Sequence, residues 1–162
     1  MKLTHTLLLA VAVALLTPAC APFTVQTAPG MVELDESRWS PYDTRMTTPD
    51  GVVVATRAIR QGPGRDTPRG DLAFWREATV LRFRTLAGYA LVEETEVTSV
   101  DGTEGVRLEL GRDQDGTPYR YDVVLFVTPK FVHIIEAGGR GDLFEASIDR
   151  VEASIASYRV RR

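Results

Sequence analysis

Few residues in this 162-residue chain carry reactive chemistry, and they are spaced too far apart to form a familiar motif. His133 stands in an apolar stretch with Phe131, Ile134 and Ile135. A serine–histidine–acid relay is defined by geometry, with the imidazole against a nucleophile; a histidine in such a stretch is expected to be structural. Asp113-Gln114-Asp115-Gly116 matches the opening of a calcium loop. Such a loop needs a bidentate glutamate at its twelfth position, where this chain has Val124, so a hairpin turn is the expectation. Glu93, Glu94 and Glu96 could pair with other acids for glycoside chemistry, but that requires two carboxyls facing each other across a cleft. Alternation places them on a solvated strand. Glu136 follows a run apolar on both faces; buried, it would need an arginine partner, and at a strand end it would be wet.

Arginines supply a different possibility. Gln61 to Gly70 is rich in glycine and proline and reads as a loop. It carries Arg65 and Arg69, with Arg60 just before it. Together with the amides that open the following helix, these three cations could hold an anion such as a lipid or glycan phosphate. The loop lacks the lysine and spacing of a nucleotide-binding loop. A plain exposed connector is the competing reading.

Cys20 is the single cysteine, so no intramolecular disulfide can form. The residues before it make a charged, then apolar, then small pattern: Lys2, the run Leu7–Leu16, and Thr17-Pro18-Ala19. That is the order of a secretory signal peptide, and the run is too short to span a bilayer as a helix. Leu16-Thr17-Pro18-Ala19-Cys20 resembles the lipobox of bacterial lipoproteins, with Thr17 in place of the usual leucine. The resemblance implies cleavage before Cys20, acylation of its sulfur, and attachment to a membrane by several chains, since one chain holds only marginally. Ala21, where an aspartate would imply retention in the inner membrane, implies the outer membrane facing the periplasm. The alternative is an ordinary secreted protein cut after Ala19.

Composition narrows the classes further. The chain has 19 Lys+Arg against 22 Asp+Glu, a net charge of −3 that becomes −4 when Lys2 leaves with the signal. A mildly acidic chain is not expected to bind nucleic acid. With one histidine remaining and the cysteine acylated, neither a metal site nor a cofactor is expected.

The elements that would position these residues follow from periodicity. Residues 1–19 are assigned to the signal, 20–40 to the lipidated cysteine and a flexible tether, and 41–162 to one globular domain. Within the tether, Met31 to Leu34 is expected to add a short edge strand and Trp39 to dock on the domain. A hairpin is expected between Asp43–Thr48 and Gly51–Ile59. Asp71 is expected to cap a helix running to Leu86 and ended by Gly88. Leu72, Trp75 and Thr79, widened by Phe74, Ala78 and Leu81, suggest that it lies flat on a sheet. Asp101-Gly102 and Asp115-Gly116 punctuate a β-meander. Val106, Leu108 and Leu110 alternate with Arg107 and Glu109, giving that strand one wet face. Tyr119 to Val127 and Phe131 to Ile135 are expected in mid-sheet, linked tightly at Pro129. A last helix, capped by Asp142, carries Phe144, Ile148, Val151, Ile155 and Tyr158 inward.

The expected fold is therefore α+β: an antiparallel meander with two amphipathic helices packed on it. The order of Gly105–Leu110, Tyr119–Val127, Phe131–Glu136 and Ser147–Tyr158 resembles the PsbP-like fold, which includes lipoproteins of the LpqN and DcrB types. The resemblance implies a non-enzymatic protein-interaction or assembly module in the cell envelope, with an envelope protein as partner. It carries no site residue over.

Overall fold

The computed structural model describes residues 21–35, 39–62 and 68–161. Its elements run in chain order as strands β1 (Phe23–Thr24), β2 (Val32–Leu34), β3 (Thr44–Thr47) and β4 (Val53–Arg60), then helix α1 (Leu72–Leu86). Strands β5 (Ala90–Thr98), β6 (Glu104–Gln114), β7 (Thr117–Val127) and β8 (Phe131–Arg140) follow, then α2 (Gly141–Ala146), α3 (Ile148–Ala156) and β9 (Arg159–Val160). Seven strands form one antiparallel sheet in the order β2-β3-β4-β8-β7-β6-β5, and β1 pairs with β9 in a separate two-stranded ladder.

The long strands are where alternation placed them, and β8 and β7 lie mid-sheet. Their hairpin turns have the chemistry that Asp-Gly provides: Asp115 and Gly116 sit at φ 54° and 78°, the paired positive values of a type I′ turn. The Asp113 carboxylate accepts the Gly116 amide at 2.8 Å, so this segment is a turn, as expected. The β4–β8 pairing joins strands far apart in sequence and closes the sheet between the first hairpin and the meander.

Helices cover both faces, and each face has its own apolar cluster. Beneath α2, α3 and the β1–β9 ladder, Phe23, Met46, Val54, Phe126, Phe144 and Tyr158 form one core. Beneath α1, Leu108, Leu110, Val123, Leu125, Val132 and Ile134 form the other.

Several expectations need correction. The stretch expected to be a flexible tether is, over residues 21–35, folded into the domain: Phe23, Ala28 and Met31 are buried in the first core. Only its edge strand, β2, was anticipated. Trp39 does not dock; it is 87% exposed. The last helix is two helices, broken at the buried Ser147. Asp142 lies inside the first turn of α2, paired with Arg140, while Arg140 occupies the cap position without a side-chain cap bond. Finally, α1 does not bury a wide stripe. Asp71 caps it as expected, accepting from Phe74 N at 2.9 Å, yet none of its residues is fully buried, and Phe74 and Leu81 are exposed.

Candidate functional site

The face covered by α1 holds the polar group that most requires explanation. Glu136 projects from β8 on the same side as Val123 and Ala55, its register partners on β7 and β4. It is buried, so its charge needs donors. Tyr42 and Tyr121 both donate to Oε2, at 2.7 and 2.6 Å, and Arg57 donates to Oε1 at 3.2 Å. The arginine anticipated for a buried Glu136 is thus present, two strand positions from Ala55 on β4.

Gly138 makes this arrangement possible. A Cβ there would lie 2.5 Å from the Tyr121 ring, so the missing side chain lets the ring lie across β8 and reach Glu136. Burial, and then the neighbouring Glu136 charge, push the Tyr121 hydroxyl well above the usual phenol range. Tyr42 moves the same way, through burial first and then its hydrogen bond to Glu136. Both phenols remain protonated donors at neutral pH.

Two hollows share Glu136 as a wall. One, of about 110 Å³, lies beneath α1 among Arg57, Ile59, Trp75, Phe83 and Ile134. The other, of about 460 Å³, opens past the end of the helix among Tyr42, Arg45, Tyr89, Tyr121 and Gly138. Tyr89, on the wall of the second hollow, lies under Arg112, which stacks over it at 4.8 Å and over Tyr119 at 5.6 Å and donates to Ala87 O at 3.1 Å. The Arg57 Nε is buried without a hydrogen-bond partner among the described residues. Aromatic faces, guanidinium groups and one fixed carboxylate suit a polar ring or a peptide side chain. Paired carboxyl groups of the kind used in glycoside hydrolysis do not face each other across this cleft, whose acid is Glu136.

His133 is not part of this cleft, because it points to the opposite face. It is fully buried among Phe23, Phe131 and Tyr158, with Nδ1 3.0 Å from the Tyr158 hydroxyl. Burial pushes its pKa down to about 4, so the ring is neutral at pH 7. The structural reading of His133 agrees with this environment. Glu93, Glu94 and Glu96 are exposed on β5, and Glu94 pairs with Arg76 of α1 at 2.5 Å. Among the described residues no group of His, Cys, Asp and Glu side chains is arranged to hold a metal ion. No helix among them is long and apolar enough to cross a membrane.

The arginines singled out in the sequence are partly visible. Arg60 is exposed at the end of β4, and Arg69 is exposed beside Gly62, whose added Cβ would meet Arg69 Nε at 3.0 Å. Arg65, like Cys20, lies outside the described residues. The base of the loop is locked by Gln61. Its amide donates to Thr128 O at 2.7 Å and accepts from Gly70 N at 3.0 Å and Trp75 Nε1 at 3.1 Å. The Asp71 carboxylate already occupies the amide at the start of α1, the place assigned to a bound anion.

What the sequence reading missed is on the other face. Arg107 and Glu109 are not on a wet face; α2 and α3 cover it. Arg107 bonds Asp122 at 2.5 Å and Glu152 at 2.5 Å, and Arg120 bonds Asp122 at 3.0 Å, Glu109 at 2.9 Å and Glu145 at 2.7 Å. The signal was present in the opposite charges of Arg120 and Asp122 on the neighbouring strand.

No protein-family model and no curated protein matches this chain. Solved structures do. LpqN, described as involved in cell envelope biogenesis of Mycobacterium tuberculosis, superposes with a TM-score of 0.66 at 14% identity, over 86% of this chain and 83% of that one. The cyanobacterial PsbP protein of Synechocystis gives 0.54 at 12% identity, over 88% and 95%. A Pseudomonas aeruginosa protein of unknown function, described as a putative regulator, gives 0.51 at 14%, over 90% and 88%. The fold is PsbP-like α+β.

Proposed function

We propose that this chain is a lipid-anchored protein of the cell envelope that works as a non-enzymatic module for binding a protein partner. The observation that carries the reading is the outer surface of α1 and its neighbouring edge strand. Leu81 and Leu86 are 62% and 80% exposed, and Val92 on β5 is 72% exposed. β5 ends the sheet, so one row of its backbone groups is unpaired within the sheet. An exposed apolar helix face beside a free strand edge is a surface that a partner can cover, by packing on the helix or by adding a strand. The likeness to LpqN, itself described in terms of envelope biogenesis, supports the same setting.

The anchor is the thioether lipid expected on Cys20, and the outer membrane facing the periplasm is the compartment that Ala21 favours. Two substitutions separate the parts of this reading. Cys20→Ser is expected to move the protein from the membrane to the soluble fraction. A photo-crosslinker at Leu81 in living cells is expected to trap one defined envelope protein; a crosslinker at exposed Asp50, on the far hairpin, is not. Retention of the Cys20→Ser protein on membranes would refute the anchor, and identical crosslinks from both positions would refute the surface.

The second reading, a binder of a small envelope ligand, moves from the Arg60–Arg69 loop to the Glu136 cleft. Tyr42, Tyr121 and Arg57 are donors that a ligand hydroxyl or carboxylate could replace or share there. Ligand-dependent stabilisation lost in Arg57→Ala but kept in Arg69→Ala would support the cleft over the loop.

A further inference from the structure

The chain immediately after Cys20 is bolted to one end of the sheet, and the consequence concerns how the domain meets the membrane. Phe23 pairs with Val160 and Thr24 with Arg159; Arg161 N donates to Pro22 O at 2.7 Å, and Gln26 N to the Ser157 hydroxyl at 2.9 Å. Phe23 also stacks on Tyr158 with ring centres 5.1 Å apart. Ala21, the residue that follows Cys20 in the sequence, therefore has a fixed place. No length of free chain separates the anchored residue from the domain.

The surface at that place has the composition of a lipid contact. Ala21 and Pro22 form one side of a groove of about 530 Å³ whose other walls are Pro129, Lys130, Phe131 and Arg161. Its floor is apolar, and two exposed cations stand at its rim. A second open hollow shares Thr128 and Pro129 with it and reaches Arg69, while Arg60 lies opposite Phe131 in the β4–β8 register. Arg60, Arg69, Lys130 and Arg161 thus ring the same end of the sheet. Of the acids at this end, Asp101 accepts from Val160 N at 2.8 Å and Asp71 from Phe74 N at 2.9 Å, and Glu104 is exposed at the start of β6.

We infer that this end of the domain lies directly on an anionic phospholipid surface. The groove straddles the root of the lipid carried by Cys20, and the four cations sit at the level of the phosphates. The inference rests on the lipid anchor proposed above and adds a fixed orientation to it. The sheet stands on the bilayer, so the Thr48–Gly51 hairpin, the Glu136 cleft and the exposed face of α1 are held away from it. Cations near an anionic membrane surface each contribute about 1 kcal/mol, so each one removed weakens the contact about fivefold.

The test uses the mature lipoprotein reconstituted in vesicles of phosphatidylglycerol and phosphatidylethanolamine. Because the native cysteine is acylated, Pro129→Cys and Asp50→Cys each offer one thiol for a fluorophore. About ten residues of strand, at about 3.3 Å each, separate the two ends of the sheet. A quencher attached to lipid headgroups is expected to quench the label at position 129 several-fold more than the label at position 50. Adding Lys130→Glu and Arg161→Glu is expected to shrink the difference, as is exchanging the lipid for neutral phosphatidylcholine. Equal quenching at both positions, with mass spectrometry showing the acylated N-terminus, would overturn the orientation and leave the anchor standing. An unmodified Cys20 would overturn both.

Discussion

The two faces of the sheet are built on different terms. Under α2 and α3 the polar groups are sealed: Asp122 has no exposed side-chain surface and accepts from Arg107 and Arg120 together, while Phe126, Phe144 and Tyr158 fill the space around them. Under α1 the corresponding acid, Glu136, is also buried, but hollows border it on two sides and the helix above has no fully buried residue. A sealed face specifies the fold, and a loosely covered one is free to bind.

Removing the acid from each face sharpens that contrast. Asp122→Ala removes the buried acceptor that Arg107 and Arg120 share; breaking a buried ion pair typically costs about 3–5 kcal/mol, and the low end is expected because Glu109, Glu145 and Glu152 still pair with the two arginines. Glu136→Ala leaves Arg57, Tyr42 and Tyr121 beside hollows that admit water, so about 1–3 kcal/mol is expected. Urea unfolding of the two variants measures the gap. Equal losses would mean that the α1 face is as tightly closed as the other.

Protonation attacks the sealed face specifically. His133 has a pKa near 4 in the fold, against about 6.5 for a free histidine, because burial disfavours its charged form. The folded state therefore binds fewer protons between those values. Its stability is intact above about pH 6.5 and declines as pH falls towards 4. Two and a half units at about 1.4 kcal/mol each give a total of about 3.5 kcal/mol. His133→Gln lowers stability at pH 7 but is expected to flatten this part of the profile. A wild-type curve that does not decline between pH 6.5 and 4.5 would contradict the burial described for this ring.

Legibility in the sequence divides along the same line. The long strands, the Asp-Gly turns and the cap at Asp71 were visible because each depends on local chemistry that a short window contains. The break at Ser147 was not, since Phe144, Ile148, Val151, Ile155 and Tyr158 keep three- and four-residue spacing straight through it. Alternation in β6 showed that Arg107 and Glu109 face away from Leu108, but it cannot tell water from a covering helix. Phe23 lies in a two-residue strand whose partner is 137 positions later, at Val160, so no local period could announce it. Of the candidate site, the need of Glu136 for an arginine was legible. The identity of Arg57, and of the two tyrosines, depended on the β4–β8 pairing and on Tyr42 reaching over from outside the sheet.

A smaller effect tests how the α1 face is shaped. Gly138→Ala puts a methyl group into the space of the Tyr121 ring, and crowding of that kind costs about 1–3 kcal/mol. The ring can swing into the neighbouring hollow, so the expectation lies at the low end. The informative readout is the Tyr121–Glu136 bond: its loss should lower the raised tyrosine pKa in an ultraviolet titration. An unchanged titration would mean that the ring reaches Glu136 without the glycine.

The smallest effect on stability comes from the residues with the largest proposed role. Leu81 and Leu86 lie on the outer side of α1 and contribute to neither core cluster. Replacing exposed residues away from packed features usually shifts stability by no more than about 0.5 kcal/mol, and glutamate is a good helix former. Leu81→Glu with Leu86→Glu should therefore unfold like the wild type while abolishing the envelope crosslink from this face. A loss of more than about 2 kcal/mol would mean that these leucines hold the helix in place, and the contrast between a sealed face and a binding face would fail at its most exposed point.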